Sequence, residues 1–305
     1  MLKLGIIGMS PGNAHPYSWS AIINGRYDGQ EITKVGYPGV SAYLDANKDT
    51  LGLNPAQVTY VWTQDMKISE SIAKTTGIDN IAVKPEDMVG RVDAVMLLRD
   101  DPENHVEMAK SFIEAGMPIF IDKPLAITQK DLAYFSGENA KGKLIMSSSS
   151  MRYANECRTA KTEAASLGKI ELVTATSKKD WIKYGVHLLE GIVAILDDPK
   201  PVCVKNIGKE KKNVVYIEYE NGIQVVVNIF MDISPTFQIT LFGQKGWKLI
   251  DIRNSYSMFR DNIIEFIRSV REGQSRLEFA KTENIIRTLI AGKESLEKSG
   301  KTIKI

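Results

Sequence analysis

Hydrophobic positions fall into two regimes along the 305-residue chain. In the first half, short unbroken apolar runs alternate with stretches in which apolar positions recur every three or four residues. The runs at Leu2–Ile7, 58–63, 94–98, Ile119–Ile121 and 144–147 predict strands, and the stretches at 19–24, 68–75, 103–115 and 129–139 predict helices. A strand that is apolar throughout needs cover on both faces, and alternating helices supply it. This half therefore predicts a doubly wound parallel sheet. The rhythm breaks over residues 27–56, where Gly, Pro, Asn and Asp accumulate and a long irregular or functional insertion is expected.

From about residue 170 the pattern changes. Residues 171–177, 202–207, 213–219, 224–231, 237–242 and 247–252 predict successive strands, and two helices, 258–272 and 282–298, close the chain. Asn221-Gly222 between two of the strands is a hairpin signal, because both residues accept positive φ. Partial alternation over 214–220 is that of a half-buried antiparallel sheet. The expected organisation is a nucleotide-type α/β domain over residues 1–124, then an α+β domain with an open, mostly antiparallel sheet over 125–305.

Composition narrows the function classes. Hydrophobic residues make up 43% and charged residues 25%, as in ordinary globular proteins, and 39 Lys+Arg against 37 Asp+Glu leave a net charge of only +2. The lysines are scattered, so no nucleic-acid partner is expected. No run approaches the roughly 20 apolar residues of a membrane span, so no membrane partner is expected either. Cys157 and Cys203 stand far apart, without CxxC spacing or a histidine cluster, which argues against a disulfide framework or a metal site and for a reducing cytoplasm. The N-terminal apolar run is too short for a signal peptide and reads as a first strand.

Candidate chemistry gathers at a few places. In Ile121-Asp122-Lys123-Pro124, an ammonium follows the end of an apolar strand, where α/β sheets place their ligands, and Pro124 stiffens the turn. After the first strand, Gly8-Met9-Ser10-Pro11-Gly12-Asn13-Ala14-His15 leads into a helix. Such a turn presents backbone N–H groups to a pyrophosphate, although a plain strand–turn–helix connection has the same look. Asp65 follows the second strand, either as a ligand of a ribose diol or as the N-cap of the next helix. His105 could line the same crevice, but reads first as a partly exposed residue at a helix end. The densest polar cluster runs from Lys178 to Glu190. Within it, His187 shares a helix face with Lys183, and Asp180 shares one with Tyr184. Histidine suits acid–base work near neutrality, though a core histidine is the alternative. The serine run 147–150 reads as a solvated loop that could contact hydroxyls.

Together, these motifs resemble the Gfo/Idh/MocA family of NAD(P)-dependent oxidoreductases. Asp122-Lys123-Pro124-Leu125-Ala126 is similar to the family's Glu-Lys-Pro motif, and Glu114-Ala115-Gly116 is similar to its lead-in. Met151-Arg152-Tyr153 resembles the segment opening its second domain, Gly185-Val186-His187-Leu188-Leu189 its catalytic histidine segment, and residues 295–301 its closing helix. The resemblance implies a Rossmann domain followed by an α+β domain whose open sheet packs on a partner, giving a homodimer or homotetramer. It implies NAD or NADP as cofactor and a carbohydrate as substrate. Lys123 and His187 are then catalytic, with Lys183 beside the histidine where relatives carry Asp. Gly8, Ser10, Gly12, Asn13, Thr63, Asp65 and Lys123 bind the cofactor; Lys123, Arg152, Asp180, Tyr184 and His187 bind the substrate; no metal is involved. Ser10 and Asn13 stand in place of small residues of the phosphate loop, and Thr63 rather than Asp65 falls at the usual position of the ribose-binding acid. A non-catalytic relative that binds a sugar or nucleotide is the second expectation.

Overall fold

In the computed structural model, which describes Met1 to Ile305, the apolar runs of the first half become six parallel strands. These are β1 (Leu2–Ile7), β2 (Ala56–Trp62), β3 (Asn80–Ile81), β4 (Ala94–Leu97), β5 (Ile119–Ile121) and β6 (Ile145–Met146), in the order β3-β2-β1-β4-β5-β6. Every residue of β4 and β5 is buried, which is why these strands read as unbroken apolar runs. Helices α1 (His15–Asn24), α2 (Gly29–Lys34), α3 (Pro38–Asp45), α4 (Met66–Thr76), α5 (His105–Glu114) and α6 (Gln129–Ala140) occur along this part of the chain. The strand order reverses between β1 and β4. Sheets of this topology hold ligands at that switch point, beyond the carboxyl ends of the strands.

The insertion over residues 27–56 is not an irregular loop. Asp28 caps α2 by accepting the N–H groups of Gln30 and Glu31, and α3 begins at Pro38, whose fixed φ suits a first helical turn. The Asp, Pro and Gly that suggested a loop act here as helix punctuation. Tyr37 and Tyr43 pack their rings near Tyr17 and Phe259, with centroids at 6.0 and 6.2 Å.

The second sheet has seven strands. They are β7 (Ile170–Lys178), β8 (Pro201–Asn206), β9 (Lys212–Tyr219), β10 (Gln224–Phe230), β11 (Phe237–Gly243), β12 (Trp247–Asp251) and β13 (Ile303–Lys304), in the order β12-β11-β7-β10-β9-β8-β13. Only β7 and β10 run parallel; the other neighbours are antiparallel. Gly222 takes φ +82° in the hairpin joining β9 to β10. Val215, Ile217 and Tyr219 on β9 and Val225, Val227 and Ile229 on β10 are buried, so one face carries the core. Helices α7 (Asn155–Glu163), α8 (Val186–Ile195), α9 (Ser255–Glu272) and α10 (Phe279–Glu297) complete the chain. The polar pattern gave no sign of α7, because only Cys157 and Ala160 are buried on it.

Two compact units result, one of Met1–Leu125, Ala133–Ser147 and Phe259–Phe279, the other of Ala126–Leu132, Ser148–Met258 and Ala280–Ile305. The chain first leaves the first unit after Leu125 and then returns to it twice. The chain returns to the first unit because β6 extends its sheet and Phe266 of α9 packs edge-on against Phe120 of β5 at 5.7 Å.

Candidate functional site

In the first unit, Gly8 hands β1 to the turn before α1. A Cβ at Gly8 would lie 2.5 Å from a Pro16 ring carbon, whereas Gly12, at φ +80°, borders open space. Ser10 Oγ donates to Asp100 Oδ1 at 2.5 Å and accepts the Asp100 N–H at 3.1 Å. Asn13 donates through Nδ2 to Asp122 Oδ2 at 2.9 Å, while its Oδ1 accepts the His15 N–H. The two side chains in place of the small loop residues thus tie the turn to the segments after β4 and β5. Ala14, the N-cap of α1, offers no side-chain acceptor. The His15 N–H is already taken by Asn13 and Pro16 has none, so an anion at this helix end would meet chiefly the positive end of the helix dipole. The glycine cradle and the open side at Gly12 fit a dinucleotide's pyrophosphate.

Thr63, buried at the end of β2, spends its hydroxyl on Asp65 O at 2.6 Å and on Ser69 Oγ at 2.8 Å. The Asp65 carboxylate caps α4 through the Lys67 N–H. Capping is therefore the contact Asp65 makes.

Lys123 is 7% exposed, with Nζ 3.9 Å from Asp100 Oδ2 and a cis bond to Pro124. Its backbone N–H donates to the carboxylate of Asp122, which is fully enclosed and also receives His15 Nδ1 at 2.6 Å. Burial by itself would raise the Asp122 pKa. The charges of His15 and Lys123 and the hydrogen bonds from His15 and Asn13 outweigh it and hold the carboxyl well below its usual range. His15 was not singled out from the sequence, although it sits in the same turn. His105 is not a partly exposed helix end: it is fully buried, its ring nitrogens facing the carbonyls of Arg99 at 2.9 Å and Leu125 at 3.1 Å. Burial pushes its pKa down. The ring cross-links the segments that carry Asp100 and Lys123.

In the second unit, a single π turn, Trp181–Gly185, precedes α8. Single π turns recur at functional sites. Asp180 caps it by accepting the Lys183 N–H at 2.9 Å. The Trp181 indole fills a slot where a Cβ at Gly185 or at Gly292 would each lie 2.7 Å from the ring, and its N–H donates to Leu289 O. This anchor fixes the turn that carries Lys183 and Tyr184. Tyr184 stacks on Phe237 at 5.6 Å and 10°, and both rings meet His187 edge-on at 5.4 and 5.7 Å.

His187 is half-buried, and its Nδ1 lies 2.6 Å from Ser149 Oγ. The serine run is not a solvated loop, since Ser147, Ser148, Ser149 and Ser150 are all buried. Ser149 is the functional candidate that the sequence pattern concealed. Arg152 is committed inside this unit: Nε donates to Glu190 at 2.6 Å, and its other two nitrogens donate to Asp198. Glu190 in turn accepts the Ser149 N–H. Burial raises the Glu190 pKa despite Arg152. Arg152 thus braces the segment holding Ser149. No group of three or more His, Cys, Asp or Glu is placed to hold a metal ion, and no helix is long and apolar enough to cross a membrane.

Residues 2–146 match the family described as "Oxidoreductase family, NAD-binding Rossmann fold". Inositol 2-dehydrogenase 1 of Saccharopolyspora erythraea is 33% identical over 107 residues, covering 34% of this chain and 32% of the relative. The match thus spans about a third of that protein's length. Among solved structures, myo-inositol 2-dehydrogenase from Lactobacillus plantarum superposes with a TM-score of 0.78 at 15% identity, over 100% of this chain and 99% of that one. Scyllo-inositol dehydrogenase from Lactobacillus casei, solved with NAD(H) and scyllo-inositol, gives 0.77 at 14% identity over 100% and 99%. At these identities the structural likeness is one of fold.

Proposed function

We propose that the chain is a member of the Gfo/Idh/MocA family of oxidoreductases and an NAD(P)-dependent dehydrogenase or reductase of a sugar or sugar-derived hydroxyl, a reading supported by the match of residues 2–146. The observation that carries this reading is the His187 imidazole, half-buried and held through Nδ1 by the Ser149 hydroxyl. A carbinol can lose hydride only as its hydroxyl proton departs, so the reaction needs a positioned base. His187 is that base, exchanging the proton at Nε2. Lys123 supplies an ammonium that lowers the cost of a developing alkoxide. Gly8, Ser10, Gly12 and Asn13 form the turn that would hold the pyrophosphate, and Thr63 and Asp65 stand at the ribose end of β2. Bound nicotinamide would supply the hydride acceptor or donor. Tyr184 and Asp180 shape the substrate side, while Lys183 holds a cation near the histidine.

Supporting a homodimer or homotetramer through the second sheet, Phe242, Trp247 and Leu249 are 37%, 67% and 50% exposed on paired strands β11 and β12. A second reading, binding without catalysis, is favoured by one observation: Ser10 and Asn13 close the turn upon Asp100 and Asp122.

A panel of polyols and sugars assayed for NADH or NADPH formation tests the proposal. One or more should turn over, Lys123→Ala should abolish turnover with little loss of stability, and His187→Asn should cost roughly 10²–10⁴ in rate. Wild-type rates in both variants would remove these residues from the mechanism.

A further inference from the structure

A cleft of about 1040 Å³ opens in the second unit, lined by the end of β7, the 233–238 segment and the end of β12. Tyr184 and Phe237 form part of its wall, and both rings touch His187 edge-on. The cleft therefore adjoins the candidate base. Its charge is one-sided: Lys178, Lys179 and Arg253 line it against one carboxylate, Asp251, which already pairs with Arg253 at 2.5 Å. Neither Lys178 nor Lys179 is paired with a carboxylate. Lys179 holds its Nζ 4.4 Å from the centre of the Tyr184 ring, on a backbone at φ +93°. A non-glycine residue rarely adopts that conformation, and such outliers cluster at ligand sites.

Resting on the proposed reading of His187, we propose that this cleft selects an anionic sugar, a polyhydroxylated ring bearing a carboxylate or phosphate. The apolar face of a sugar ring packs against an aromatic wall such as Tyr184 and Phe237. The hydroxyls of Ser177, Ser234 and Thr236 and the amide of Gln238 offer partners for ring hydroxyls. The anion meets the two unpaired ammonium groups and Arg253, and charge-assisted hydrogen bonds are about twice as strong as neutral ones. A neutral polyol would leave Lys178 and Lys179 without an anionic partner. This sets the substrate class apart from the uncharged inositols named for the structural neighbours.

Calorimetric titration with glucuronate, glucose 6-phosphate and glucose, with and without NADH, tests the inference. At least one acid should bind about tenfold tighter than glucose, with a margin that shrinks as salt rises from about 50 to 500 mM. Preference for glucuronate alone assigns a carboxylate, and preference for glucose 6-phosphate alone a phosphate. In the Lys179→Gln, Arg253→Gln double variant the margin should fall at least about fivefold while its melting temperature stays near that of the wild type. Glucose binding as tightly as both acids, or a margin untouched in a folded double variant, would overturn the inference. Failure to bind NADH would count against the dehydrogenase reading alone, because the anion preference is measured without cofactor as well.

Discussion

His187 owes its orientation to Ser149, whose hydroxyl also accepts the Met151 N–H at 3.1 Å. Where the hydroxyl accepts from Nδ1–H, Nε2 is the basic nitrogen, and the same bond holds the imidazolium once Nε2 has taken the substrate proton. One contact therefore serves both directions of a hydride transfer. Ser149→Ala should lower kcat about tenfold, leave KM close to wild type and move the limb of the pH–rate profile that reports the histidine. An equal loss in every substrate constant with a lower melting temperature would indicate packing alone. Asp122 makes a separate prediction about stability. Its folded pKa is depressed, so its contribution is full above the ordinary carboxyl range, near about 4, and fades as pH falls toward the lower folded value. Asp122→Asn should cost about 3 kcal/mol at pH 7 in denaturant unfolding, and the gap to wild type should narrow below about pH 4. A gap independent of pH would contradict this account. Lys123 was legible because an apolar strand and a proline bracket it. Ser149 was not, because a serine run looks the same in a solvated loop and in a buried one.

At the scale of elements, the π turn before α8 is held by Trp181 between two glycines. Gly185→Ala pushes a methyl into the indole ring and should cost about 1–3 kcal/mol. Because the turn carries Tyr184 and leads to His187, kcat should fall further than KM rises. Thermal unfolding and steady-state kinetics on the same preparation check both effects, and an unchanged melting temperature would refute the packing argument. The residue spacing placed His187 on a helix, but it could not show the π turn, whose signal lies in a contact with Gly292, over a hundred residues away. The same limit hid α2 and α3: caps and loop residues are the same amino acids, and only the chain between them tells which is meant. β3 and β13, two residues each, are too short to leave a period.

For the whole molecule, the βα half and the antiparallel half were readable because the apolar period differs between them. The strand at 144–147 was read with the first sheet, but the return of the chain through α9 was not, since apolar spacing carries no record of which unit a helix packs on. The exposed face of β11 and β12 bears on assembly: Phe242 stands directly opposite Trp247 in the register. Trp247→Glu should reduce the solution mass, measured by light scattering, to that of a single chain, whereas a wild type that already runs as one chain would contradict assembly through this sheet. Titration with NADH and NADPH, followed by energy transfer from tryptophan to the bound cofactor, checks whether the turn after β1 serves a nicotinamide dinucleotide. At least one of them should saturate the protein below millimolar concentration; no saturation with either at millimolar concentration would exclude that role for the turn.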